Sequence, residues 1–128
     1  MKKRLIIFAI LISLLAITNL YSENIKINFI QENGAKIEKE YDSLKEILVL
    51  FDSETMKTIS FEIPNICKNV KVLELQNLAF IKNLDFLEKF PNIKELYIGY
   101  GVNFSSINLK YLKNLEFVEI ANKRIILK

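Results

Sequence analysis

Residues 69–91 read NVKVLELQNLAFIKNLDFLEKFP and residues 92–113 read NIKELYIGYGVNFSSINLKYLK, and a third segment, NLEFVEIANKRIILK, begins at Asn114. The three align without gaps at their starts. Each opens with Asn, followed by an apolar residue, two variable residues, an apolar residue, one variable residue and an apolar residue. The apolar triplets are Val70, Leu73 and Leu75; Ile93, Leu96 and Ile98; and Leu115, Val118 and Ile120. The last two members of each triplet alternate with a variable residue, which sends both to one side of a short strand. Units of 23 and then 22 residues mark a repeated structural element.

Between the triplets the apolar step is three. Ile81, Leu84, Leu87, Phe90, Ile93 and Leu96 run at that step, and so do Leu109, Leu112, Leu115 and Val118. An α-helix advances about 100° per residue, so such a series drifts by about 60° per step and its members circle the helix. Pro91 also interrupts a helix there. A step of three suits tight 3₁₀-like turns, in which residues i and i+3 eclipse. The chain is expected to coil with one core-facing residue in every three.

This pattern resembles the leucine-rich-repeat family in its bacterial 22-residue form. The LxxLxL signature stands as Val70-x-x-Leu73-x-Leu75, Ile93-x-x-Leu96-x-Ile98 and Leu115-x-x-Val118-x-Ile120, and the resemblance covers residues 69–125. It implies an α/β fold, a short leucine-rich-repeat solenoid with parallel strands on its concave face and an irregular N-terminal cap. It also implies a ligand-facing surface made of the variable residues in and just after each triplet. These are Val72, Glu74 and Gln76; Glu95, Tyr97 and Gly99; and Phe117, Glu119 and Ala121. Stacked across units they form the rows Val72, Glu95, Phe117 and Glu74, Tyr97, Glu119. The family's usual Asn, three residues after the last strand apolar, is replaced by Leu78, Gly101 and Lys123, with Asn77 and Asn122 one position earlier. Irregular turns are expected there.

Residues 23–68 are expected to hold the cap and one or two irregular units, since a stack of repeats exposes its core unless its first unit is covered. Ile25, Ile27 and Phe29 alternate as in a strand. Glu32-Asn33-Gly34 is a turn with a strong hairpin signal, and Ile37 lies in a weaker second strand. Ser43 and Glu46 form a capping box ahead of Leu44, Ile47, Leu48 and Phe51, which fits a short helix. Leu44, Ile47 and Val49 also fit the repeat triplet. So do Met56, Ile59 and Phe61, ended by Pro64.

Residues 1–22 have the three parts of a signal peptide. Lys2, Lys3 and Arg4 are the basic start, Leu5 to Ile17 is an apolar run of 13 residues broken only by Ser13, and Thr18 to Ser22 is more polar. That run is short for a membrane-spanning helix, which needs about 20 residues. The expected location is therefore secreted, periplasmic or at the cell surface. The alternative is a membrane-tethered structural protein that keeps this segment as an anchor.

Composition narrows the chemistry. The three basic residues at the start supply the whole formal charge of +3, and the rest of the chain balances 15 basic against 15 acidic residues. A neutral domain lacks the electrostatic footprint of a nucleic-acid binder. The chain has no His and one Cys, which removes the commonest general base and any internal disulfide or CxxC metal site. Cys67 lies three residues before Val70, as Phe90 and Leu112 lie before Ile93 and Leu115, so it reads as a core residue. Asn103-Phe104-Ser105 matches a glycosylation sequon. No nucleophile motif stands out, so the chain reads as a protein- or peptide-binding module without cofactor or metal, ahead of a small envelope hydrolase. The binding set is Val72, Glu74, Gln76, Glu95, Tyr97, Phe117 and Glu119, with Tyr97 and Phe117 as apolar anchors among carboxylates. The apolar end Ile125-Ile126-Leu127 is expected to fold back over the last unit or to pair with a second copy. Mass spectrometry of the exported protein should find an N-terminus at or near Glu23, and an intact Met1 in a membrane-bound pool would overturn the signal-peptide reading.

Overall fold

A computed structural model describes residues 24–102, 109 and 112–126. The signal-peptide segment and the Asn103-Phe104-Ser105 sequon lie outside the described residues. The chain opens with a hairpin, β1 (Ile25–Gln31) and β2 (Lys36–Tyr41), paired antiparallel. Gly34 turns it at φ 86°, where a side chain would be strained, and Asn33 Oδ1 accepts the Ala35 N–H at 3.0 Å. The alternation of β1 buries Ile27 and Phe29 on one face. After β3 (Ile47–Phe51) the chain returns as β4 (Thr58–Glu62), which pairs antiparallel with the other edge of β1 to give the order β2-β1-β4.

β3 belongs to a second sheet. It runs parallel to β5 (Val72–Gln76), which runs parallel to β6 (Glu95–Ile98), which runs parallel to β7 (Phe117–Ile120). The register sets Leu48, Leu73, Leu96 and Val118 in one row and Leu50, Leu75, Ile98 and Ile120 in the next. All are buried except the partly buried Ile120. At each strand start one carbonyl accepts two successive N–H groups. Glu46 O takes Lys71 and Val72, Lys71 O takes Lys94 and Glu95, and Lys94 O takes Glu116 and Phe117. The Asn that opens each unit also reaches back one unit. Asn69 Nδ2 donates to Ser43 O at 2.9 Å, Asn92 Nδ2 to Lys68 O at 2.9 Å, and Asn114 Nδ2 to Asn92 Oδ1 at 3.3 Å.

The step of three becomes a series of i to i+3 hydrogen bonds. Leu87 N–H donates to Leu84 O, Phe90 to Leu87, Ile93 to Phe90, Leu112 to Leu109 and Leu115 to Leu112. One stretch, Asp85–Lys89, is a regular 3₁₀ helix that buries Phe86 and Leu87.

The expected α/β leucine-rich-repeat solenoid, with parallel strands on a concave face and an irregular N-terminal cap, is not what the chain forms. Strands make up 42% of the described residues, helix is almost absent, and there are two sheets, one of them mixed, neither solenoid-like. Three local causes account for the difference. The step of three favours 3₁₀ turns over α-helices between strands. Ala121 and Asn122 take left-handed conformations, φ 48° and 69°, and turn the chain back as β8 (Lys123–Ile126), antiparallel to β7. The Asn-Gly turn commits residues 25–41 to an antiparallel hairpin, which β4 joins as the third strand of a separate sheet. The readings of residues 44–61 also change. No helix follows Ser43. The residues of β3 that face the core are Leu48 and Leu50, one position after Ile47 and Val49; Met56 precedes β4, and Ile59 and Phe61 lie within it, in the antiparallel sheet rather than in a repeat strand.

A buried polar cluster joins the two sheets where β3 ends. Asp52 accepts from the Thr58 backbone N–H at 2.9 Å and from the Thr58 hydroxyl. Gln31 Nε2 donates to Thr58 Oγ1 at 3.0 Å, and Gln31 Oε1 accepts the Lys57 N–H at 2.8 Å. All three side chains are buried and mutually satisfied. Asp52→Ala leaves two buried donors unpaired, and such a loss costs about 1–3 kcal/mol. Thermal unfolding followed by circular dichroism should show a melting temperature lower by about 4–8 °C per kcal/mol. An unchanged melting temperature would show that the cluster contributes nothing to stability.

Candidate functional site

Residues of a strand that do not face the core face the opposite side of the sheet. The parallel register therefore assembles the expected rows directly. Val72, Glu95 and Phe117 lie side by side, and so do Glu74, Tyr97 and Glu119. All six, with Gln76, are half-buried. Gly99 follows β6 where the chain passes close to β5. Its N–H donates to Leu75 O at 2.9 Å, and a Cβ would meet the same oxygen at 3.2 Å. Ala121 belongs to the turn into β8 and so lies beyond the strand face.

The face extends further at both edges than the sequence indicated. On one side β3 adds Ile47 beside Val72, Val49 beside Glu74 and Phe51 beside Gln76. Ile47 and Phe51 are 57% and 44% exposed. These residues sit in a run, ILVLF, in which every position is apolar, so alternation could not reveal which face each takes. On the other side β8 places Arg124 opposite Glu119 and Ile126 opposite Phe117. The signal for that return was the pair Ala121-Asn122, a weak one beside Asn-Gly.

The side chains of this face form a connected set. Tyr97 and Phe117 meet edge to face with centroids 5.6 Å apart. The Arg124 guanidinium stacks 4.5 Å above Phe117 and lies 3.7 Å from a Glu119 carboxylate oxygen. Gln76 Nε2 donates to Glu74 Oε1. The Tyr97 hydroxyl is held above its ordinary range by partial desolvation and by the carboxylates of Glu95, Glu119 and Glu74, with Arg124 opposing them. An aromatic face beside carboxylates attracts guanidinium and ammonium groups, and Arg124 is an example within the chain itself. Among the described residues no group of three or more His, Cys, Asp and Glu side chains is placed to hold a metal ion.

Compared with known proteins, the chain matches no family model, no curated protein and no solved structure.

Cys67 stands apart from this face. Its side chain is 3% exposed and belongs to the core, as do Phe90 and Leu112 at the equivalent positions. Its N–H donates to Lys89 O at 2.7 Å, and Sγ donates to Asn65 O at 3.6 Å. Burial pushes the thiol up to about 11, against a small opposing pull from Lys89. A raised value leaves less thiolate at any given pH, and thiolate is the reactive form. At pH 8, alkylation of the native protein should be slower than that of the denatured chain by about 100-fold or more. Equal rates in the two states would remove Cys67 from the core.

Proposed function

We propose that this chain is an exported binding module whose exposed sheet face grips a protein partner through that partner's basic side chains. The observation that carries this reading is the row Glu74, Tyr97, Glu119, with Phe117 stacked against Tyr97 and Glu95 on the adjoining position. Half-buried aromatics ringed by polar groups have the composition of an interface centre. The carboxylates set the sign of the partner. Among the described residues Arg124 is one close counter-ion, bound at Glu119, and the Glu74 carboxylate is met by the neutral Gln76 amide. The signal-like start of the chain supports the same reading.

Interface aromatics at such a centre each contribute about 1 kcal/mol or more. Tyr97→Ala and Phe117→Ala should each weaken binding about fivefold or more; each also removes the edge-to-face pair and should lower the melting temperature by a few degrees while leaving the circular-dichroism spectrum of the fold unchanged. Glu74→Lys should weaken binding further at low salt than at high salt, because the exposed charges are screened. Affinity capture from the producing cell, with wild type and the Tyr97, Phe117 double variant side by side, checks both. Equal recovery of the same partner by the two would remove this face from the interface.

A further inference from the structure

We propose that β8 pairs antiparallel with β8 of a second copy of this chain, about a two-fold axis through Ile125. An edge strand offers unpaired N–H and C=O groups, and proteins usually guard it with charge, a bulge or a covering segment. The other edges here are guarded. β2 is lined by Lys36, Glu38, Lys39 and Glu40. Ile59 O on β4 accepts the Lys82 N–H at 3.1 Å. At the β3 edge the Lys39 ammonium of β2 sits 4.7 Å over the Phe51 ring and places a charge there. Among the described residues nothing comparable covers β8. Its Arg124 is drawn back over Phe117 and Glu119 and does not shield the edge. Ile125 and Ile126 are 51% and 72% exposed.

The backbone fixes which groups face outward. Phe117 N–H donates to Lys94 O and Ala121 N–H to Ile98 O. In β7 the groups of residues 117, 119 and 121 therefore turn toward β6, and those of Val118 and Ile120 turn toward β8. Val118 is opposite Ile125 and Ile120 is opposite Lys123. The N–H and C=O of Arg124 and Ile126 consequently point away from the sheet. In an antiparallel copy centred on Ile125, Arg124 stands opposite Ile126 of the second copy, and the reverse holds by symmetry. Both outward-facing residues then find partners.

Charge and backbone pairing select this register over its neighbours. Centring on Arg124 sets the two guanidinium groups opposite each other, which is unfavourable. Centring on Ile126 leaves the outward-facing N–H and C=O of Arg124 without a partner among the described residues. Only the Ile125 register sets each cation beside an apolar side chain and brings the two exposed Ile125 side chains together. The axis is perpendicular to the sheet, so the two Tyr97–Phe117 faces continue side by side on one wider sheet. The pairing is independent of any ligand.

Sedimentation equilibrium of the chain as its host processes it, from about 1 to 200 μM, should show a reversible monomer–dimer equilibrium. Ile126→Lys places like charges opposite at both symmetric positions, and should raise the dimer dissociation constant about tenfold or more, with an unchanged melting temperature at a dilution where both chains are monomeric. Cysteine substitution tests the axis itself. Ile125 on the axis is a non-hydrogen-bonded pair with Cα atoms about 4.5 Å apart, within disulfide reach, whereas residue 126 lies opposite residue 124 and too far from its own twin. Under mild oxidation Ile125→Cys should cross-link to a covalent dimer, while Ile126→Cys and the wild type, with its buried Cys67, should not. A chain that stays monomeric across the range, a dimer that Ile126→Lys leaves intact, or equal cross-linking at positions 125 and 126 would each overturn the pairing.

Discussion

A carbonyl shared by two successive N–H groups decides where each parallel strand begins, and most of the molecule depends on it. Glu46, Lys71 and Lys94 each hold the first two amides of the next strand in this way. The Asn residues that open the units tie the preceding turns at the same level. Because side chains alternate across a strand, a slip of one residue would carry Leu96 outward and Tyr97 into the core. The level starts therefore fix at once which residues pack inside and which line up outside. The aromatic and acidic rows of the exposed face follow from this alignment.

The core made by this alignment is continuous with that of the antiparallel sheet. Ile27 and Phe29 from β1 belong to the same apolar cluster as Leu48, Leu73 and Leu96. Phe61 bridges the two regions, edge to face with Phe29 on one side and with Phe86 on the other, at 4.8 and 4.7 Å. The Asp52, Thr58 and Gln31 cluster fixes the same junction with directional bonds. A domain of this size buries a modest share of its surface, and its one Cys is a free, buried thiol. Shared packing between the two sheets takes the part that disulfides play in many small domains.

What the sequence revealed and what it hid have physical causes. The strands β5, β6 and β7, their mutual register and the rows Val72, Glu95, Phe117 and Glu74, Tyr97, Glu119 were legible, because strict alternation after each Asn leaves a single choice of face. The turns were legible because only a 3₁₀ path keeps every third residue on one side. β3 was misread by one position because ILVLF has no polar residue to set its phase. The partnership of β4 with β1 is non-local, and no local pattern announces it. The fold class failed at the same places. The family resemblance carried an expectation of α/β architecture, whereas the chain spaces its apolar residues for 3₁₀ turns and folds residues 25–41 into a hairpin of a separate sheet. The contribution of Arg124 and Ile126 to the face was hidden because it depends on two left-handed residues, Ala121 and Asn122, in a turn without glycine.

The reach of each opening Asn to the unit before it has a consequence at the level of the gene. Among the described residues, Asn69, Asn92 and the carbonyls of Lys71 and Lys94 bond to partners in the adjoining units. A segment of 22 or 23 codons duplicated in frame would bring its own donor amide to the unit ahead of it and its own acceptor carbonyl to the unit behind. Recombination between units can therefore widen or narrow the sheet by one strand at a time while both ends keep their existing partners. The width of the exposed face is open to inheritance in whole steps, and the residues at its variable positions can then diverge without disturbing the alignment beneath them.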